Sequence, residues 1–196
     1  MIRKQRPEAR FLELVHRLDR ETSGCLLIAK KRSVLRAVQQ LWRDGKVKKT
    51  YLALVAGKWQ GGKVNSALRK IDRSGERVVI VDPGGKPSLS YFQSLGTRAV
   101  NADLEVSMMR VDIHTGRTHQ IRVHAASSGH PVVGDQKYGD EGFNSQFIQT
   151  GPSRLFLHAH TLEFELPGEQ PLRFHAPLPK EFDPWAELVD RSGRKQ

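Results

Sequence analysis

Apolar residues along the chain fall mostly in short runs with a period near two, broken by a few stretches at helical spacing. Residues 25–31 (CLLIAKK) follow a polar Thr-Ser-Gly turn and predict a short buried strand. Leu35, Val38, Leu41 and Trp42 then recur at helical spacing, with Ser33 placed to cap the helix and Gly45 to end it. Strands are predicted over 49–56 (KTYLALVA), 77–82 (RVVIVD) and 88–95 (SLSYFQSL), with 57–62 as a loop and a Pro-Gly-Gly turn before the last. Between 103 and 111, Leu104, Val106 and Met108 alternate with Asp103, Glu105 and Ser107, the mark of a half-buried strand. A short helix is expected over 118–128, closed by Gly129 and stopped by Pro131. Leu162, Phe164 and Leu166 predict another alternating strand, and 180–191 a final helix ahead of a polar tail from Ser192. Residues 134–153, rich in Gly, Asp, Asn and Gln, read as a surface loop. Strands joined by turns, with a few inserted helices, predict an α+β domain with a mixed, mainly antiparallel sheet. Strands and helices do not alternate regularly and GxGxxG is absent, so a Rossmann sheet is not expected.

Composition narrows the class. With 196 residues, 38% hydrophobic and 27% charged, the chain fits one well-packed globular domain. Its apolar runs, such as 25–29, are too short to span a bilayer, and the basic amino terminus has no apolar stretch behind it to make a signal peptide. One cysteine cannot form an internal disulfide, which suits a reducing cytoplasm. Thirty-two Lys and Arg against 21 Asp and Glu leave a formal charge of +11. A protein this basic is expected to meet a polyanion, RNA or DNA phosphate being the usual one.

Three segments mix charge with turn residues in ways a plain core does not need. His16-Arg17-Leu18-Asp19-Arg20-Glu21-Thr22-Ser23-Gly24 sets one carboxylate between arginines, which would hold Asp19 ionised as a nucleophile or base requires. Spacing alone favours a salt-bridged turn there. Lys49-Thr50-Tyr51-Leu52-Ala53-Leu54-Val55 opens a strand with a basic residue and an aromatic; Tyr51 could stack on a base or simply be a strand tyrosine. Thr115-Gly116-Arg117-Thr118-His119-Gln120-Ile121-Arg122-Val123-His124 places arginines around a helix start, where backbone N–H groups also favour anions; a polar helix end with solvated charges is the plainer account. His158 and His160 share a strand face and could ligate a metal, but spacing supplies no third ligand, so no metal site is expected.

Together these segments resemble the RluA/RluC family of pseudouridine synthases. HRLDRETSG at 16–24, K-x-Y-x-A-x-V at 49–55 and TGRTHQIRVH at 115–124 carry the resemblance, with GHPVVGDQKYGD at 129–140 and RLFLHA at 154–159 as further matches. The order holds over roughly residues 8–180. The resemblance implies that Asp19 is the catalytic aspartate, that Tyr51 stacks against the target base and handles its proton, and that Arg122 pairs with the aspartate. It further implies that Arg17 fills the gap left by a flipped nucleotide and that Leu157 lines the uracil pocket. The implied reaction is isomerisation of uridine to pseudouridine in RNA, favouring 23S rRNA of the large subunit, without cofactor or metal, by a cytoplasmic monomer. Relatives usually carry an Asn-Lys-Pro-x-Gly strand upstream of HRLD and often an S4-type RNA-binding domain. The expectation is therefore that 1–196 is a catalytic domain lacking both. The rival readings are a non-catalytic RNA-binding module, a chain made inactive by the missing upstream segment, and a metal-dependent RNA hydrolase.

Overall fold

The computed structural model describes residues 2–193, with side chains through 189. One helical turn, α1 (Ile2–Gln5), leads into three two-residue strands, β1 (Glu13–Leu14), β2 (Ser23–Gly24) and β3 (Ile28–Ala29). Helix α2 (Arg32–Arg43) precedes β4 (Lys48–Ala56), β5 (Gly61–Asn65), β6 (Leu68–Arg73), β7 (Glu76–Val81), β8 (Leu89–Ala99) and β9 (Glu105–Ile113). Helices α3 (Gln120–Ser127) and α4 (Glu141–Phe147) are followed by β10 (Leu157–Phe164), β11 (Leu172–His175), a 3₁₀ turn (Lys180–Phe182) and α5 (Asp183–Gly193). The main sheet runs β11-β10-β4-β9-β8-β5, antiparallel throughout, and β2 joins β10 in parallel. The expected α+β class and mixed, mainly antiparallel sheet are what the chain adopts.

β4 explains why the sheet is buried on both sides. Ala53 and Val55 face a core with Met109, Val111, Ile121 and Leu157, while Leu52 and Leu54 face a second core with Met108, Phe156, Phe182 and Trp185. Alternate side chains point to opposite faces, so a near-continuous apolar strand needs cover on both. Helix α3 covers one face and α5 the other. A third core gathers Val38 and Leu41 of α2 with Val15, Ala29, Leu162 and Phe164. That helix ends as expected at Gly45 (φ 69°), where Gly45 N–H donates to Trp42 O and Lys46 N–H to Leu41 O.

Several expectations need correcting. The strand expected over 25–31 shrinks to Ile28–Ala29, because Cys25 N–H donates to Ala159 O and Leu27 N–H to His16 Nε2, bending the segment. The α2 N-cap is Lys31, with no side-chain cap bond, rather than Ser33. The loop at 57–62 gives way to β5 at Gly61. The strand at 103–111 is not half-buried: Ser107 and Met109 on its supposed polar side are fully buried, Ser107 satisfied by donating to Gly57 O. β6 was not foreseen; it pairs β7 across Ser74-Gly75, both at positive φ, the backbone of a type I′ hairpin. The surface loop at 134–153 holds α4, capped by Asp140 accepting from Phe143 N–H and anchored by buried Phe147. Ser192 and Gly193 belong to α5, and the rest of the polar tail lies outside the described residues. Among the described residues, no helix is long and apolar enough to cross a membrane.

Candidate active site

The 16–24 segment is held against β10 by an approach that only glycine permits. Gly24 sits at φ 118°, and a Cβ there would lie 2.2 Å from Ala159 O. Cys25 N–H donates to the same oxygen at 2.8 Å, and Arg154 donates to Ser23 Oγ at 2.7 Å. At the other end of the segment, His16 stacks on Trp42 of α2 with ring centroids 4.5 Å apart. Between these anchors, Thr22 N–H donates to Asp19 O, closing the turn that presents the Asp19 carboxylate.

That carboxylate faces a cavity of about 450 Å³, large enough for a nucleoside. Arg17 and Asp19 reach it from the anchored segment, Tyr51 from β4, Arg122 from α3 and Leu157 from the start of β10. All five residues singled out from sequence thus line one cavity, though they come from four parts of the chain.

The ion pairing inside the cavity differs from expectation. Arg122 pairs with Asp135, not Asp19: its Nε and an Nη each donate to one Asp135 oxygen at 2.7 Å. Both groups are buried, the arginine side chain 7% exposed and the carboxylate 0%. Burial opposes ionisation of each, but the mutual hydrogen bonds and charge outweigh it, and for Asp135 the backbone N–H groups of Tyr138 and Lys137 add to them. Arg122 is left above and Asp135 below its ordinary value. Asp19 acts on Arg122 through charge across the cavity. The basic group nearest Asp19 is His119, whose Nε2 lies 4.0 Å from Asp19 Oδ1.

The tautomer of His119 follows from its other neighbour. Val79 N–H donates to the Tyr138 hydroxyl oxygen at 3.0 Å, so the hydroxyl hydrogen is free to donate to His119 Nδ1 at 2.7 Å. A neutral His119 then carries its proton on Nε2, toward Asp19. Burial pushes the His119 pKa down, partly offset by Asp19 and reinforced by Arg122 and Lys137. The residue sits in the left-handed region at φ 54°, a conformation that a side chain tolerates at some cost.

Tyr51 and Lys49 share strand β4 and the same face. Burial, reinforced by the negative charge of Asp19 beside it, pushes the Tyr51 phenol up to about 12. It is a hydrogen-bond donor at neutral pH and not a base. Lys49 is only 4% exposed, and burial lowers its ammonium pKa. Its Nζ lies 5.8 Å from the Trp42 ring centroid, and among the described residues no carboxylate is within ion-pair distance of it.

The sequence reading passed over four residues here. Lys49 stood in a quoted motif, and its place two residues before Tyr51 on a strand was the signal that they share a face. His119 stood only as one member of the 115–124 segment, with no role assigned to it. Asp135 and Tyr138 lay in GDQKYGD, where nothing in the spacing links them to α3. Among the described residues, no group of three or more His, Cys, Asp or Glu side chains is placed to hold a metal ion.

A family model described as RNA pseudouridylate synthase matches residues 1–127, and the chain belongs to that family. It is 51% identical over 181 residues to ribosomal large subunit pseudouridine synthase C of Haemophilus influenzae, covering 90% of this chain and 55% of that protein. It is 48% identical over 184 residues to the Escherichia coli K12 protein of the same name, covering 90% and 56%. The chain therefore spans about half the length of these curated relatives. Among solved structures, human RNA pseudouridylate synthase domain containing 1 superposes with a TM-score of 0.79 at 27% identity, covering 100% of this chain and 86% of that one. Human RNA pseudouridylate synthase domain containing 4 gives 0.71 at 25% identity, covering 93% and 77%.

Proposed function

We propose that this chain is the catalytic domain of an enzyme that isomerises uridine to pseudouridine in RNA, and that its substrate is 23S rRNA of the large ribosomal subunit. The observation that carries the reading is the convergence of Arg17, Asp19, Tyr51, Arg122 and Leu157 on one cavity of about 450 Å³. The names of the relatives at about half identity support the choice of large-subunit rRNA.

The reaction breaks the N1–C1′ bond, turns the base over and joins C5 to C1′; C5 loses a proton and N1 gains one, so composition is unchanged. No redox step occurs, and the reading needs neither metal nor cofactor. Positioning, charge and proton transfer do the work. Asp19 is the reacting carboxylate, serving either attack on C1′ or removal of a sugar proton. Tyr51, kept protonated, packs against the base and offers its O–H. Leu157 forms the apolar wall of the base pocket. Arg122, clamped by Asp135, is a fixed cation across from Asp19. Nε2–H of His119 faces Asp19 and helps to hold its orientation.

The target base must leave its stack, at a cost of about a few kcal/mol. Arg17, exposed at the cavity rim, fills the space it vacates. Lys49 gives the incoming nucleotide a cation that no carboxylate among the described residues neutralises. The enzyme is read as a cytoplasmic monomer.

The test is pseudouridine formation on a large-subunit rRNA transcript, comparing the chain with Asp19→Asn. Product from the parent and none from the variant, with RNA affinity within about threefold, is expected. Equal product from both removes Asp19 from the mechanism. RNA binding without product from either leaves a non-catalytic binding module.

A further inference from the structure

A second cavity, of about 510 Å³, opens beside the first and shares a wall with it: Gly116, Arg117 and Thr118 line both. Its other side is the β6–β7 hairpin, which the reaction above does not use. The floor is apolar, made by buried Leu68 and Val79, and the rim is cationic, with exposed Arg69, Lys70, Lys86 and Arg117. Arg69 is balanced by Asp82 at 2.5 Å. Among the described residues, Lys70, Lys86 and Arg117 make no ion pair, so the rim keeps an excess of positive charge beside the active site.

The walls of this cavity are tied to one another by backbone contacts. Leu68 and Lys86 exchange backbone hydrogen bonds at 2.9 and 2.8 Å, tying the hairpin to the 83–86 turn. Gly85 packs so closely there that a Cβ would lie 2.5 Å from the Leu68 carbonyl carbon. Arg117 Nε donates to Pro87 O at 3.1 Å, which fixes this side chain on the partition between the two cavities. An apolar floor with an unneutralised cationic rim matches the two faces of a nucleotide, a flat base and a phosphate.

Resting on the pseudouridine synthase reading for what fills the first cavity, we infer that the second is a subsite for a nucleotide flanking the target uridine in the same RNA strand. Its base lies on Leu68 and Val79, and its phosphate is held by Lys70 and Lys86. Arg117 bridges the phosphate between the two nucleotides. The enzyme thus grips the strand beyond the nucleotide it isomerises, and the hairpin contributes to the choice of site.

The experiment measures equilibrium binding of fluorescently labelled oligouridylates of increasing length, one nucleotide at a time, to the Asp19→Asn chain. In these probes every position can occupy either cavity. Affinity is expected to rise in a step at the length that first reaches both. Lys70→Ala with Lys86→Ala, both exposed side chains, should remove that step and weaken longer oligomers about tenfold while sparing shorter ones. The slope of log affinity against log salt should fall by about 0.7, for the one phosphate that the two lysines hold on a single strand. Lys58→Ala with Lys63→Ala, a charge-matched pair lining neither cavity, should keep the step. Equal loss in the two double variants, a smooth rise with length, or an unchanged salt slope would overturn the subsite. Binding needs no isomerisation, so the two readings fail separately. A length step without pseudouridine formation sinks the enzymatic reading, and product without the step sinks the subsite.

Discussion

Replacing Lys49 by methionine should move stability and RNA recognition in opposite directions. The side chain is almost wholly buried with its Nζ over the Trp42 ring, yet its ammonium has no carboxylate partner among the described residues. A buried cation without a counter-charge costs stability, whereas methionine retains much of the stem's packing and needs no solvation. The Lys49→Met chain should therefore be more stable by about 1 kcal/mol, the usual scale for such relief. For a domain of this size that raises Tm by roughly 2–4 °C. The sign extends to pH. Burial lowers the folded-state pKa of Lys49 below 10.5, so in the window just below that value the unfolded chain binds more protons. Parent stability should then rise with pH there, and the variant should lack that rise. With RNA, losing one phosphate contact should lower the salt slope by about 0.7. A fall of about ten- to a hundredfold in kcat/KM should accompany it, equivalent to roughly 1.4–2.7 kcal/mol of transition-state stabilisation. Urea melts at several pH values and initial rates over a salt series measure all of this. A variant that melts earlier than the parent, or one with an unchanged salt slope, refutes the account of Lys49 as a cation held in reserve for RNA.

Three further outcomes follow from the site's supports. Gly24→Ala puts a Cβ against the β10 backbone at a positive φ, so it should cost about 2 kcal/mol or more and lower kcat through displacement of Asp19; denaturant melts with steady-state kinetics check it, and wild-type values in both contradict it. Asp135→Asn keeps the shape but removes the charge that neutralises buried Arg122, and should destabilise the chain by about 3 kcal/mol, read from the urea midpoint. Tyr138→Phe removes the hydroxyl that donates to His119 Nδ1 and so favours the neutral ring. Burial still lowers the His119 pKa, but the midpoint should move up toward 6.5. Imidazole NMR titration detects the shift, and an unmoved midpoint disproves the assigned tautomer.

What the sequence made legible was local. The Schellman end of α2 at Gly45, the β4 strand and the 16–24, 49–55 and 115–124 segments are each specified by residues close together in the chain. The errors arose where tertiary contacts decide. Ser107 looks solvent-facing in an alternating strand, yet hydrogen bonds to Gly57 O, Trp59 N–H and the Thr97 hydroxyl satisfy it inside the sheet. Residues 134–153 have loop composition, but Phe147 finds a core with Phe156 and Trp185 that stabilises a two-turn helix. The β6–β7 hairpin had a visible sign in Ser74-Gly75, a pair suited to positive φ. The Arg122–Asp135 clamp had none, since charge pairs across a loop leave no period in the sequence.

That clamp changes how the electrostatics of the cavity should be understood. If Arg122 were the counter-ion of Asp19, the cavity would be close to neutral at its centre, and RNA affinity would have to come from the outer surface. Because Asp135 takes the Nε–H and one Nη–H of Arg122, the pair acts on Asp19 as a dipole with its positive end toward the cavity, not as a bare charge. Asp19 is then the cavity's uncompensated anion, while Lys49, Arg17 and Arg117 line the same space with no carboxylate partner among the described residues. Cations in excess around the one carboxylate proposed to react suit a substrate that brings its own negative charge. The phosphates flanking the target nucleotide would supply it, and each would draw the sugar toward Asp19 as it docks. Binding energy from the backbone is thereby turned into positioning of C1′, the economical use for an enzyme whose chemistry depends on placement.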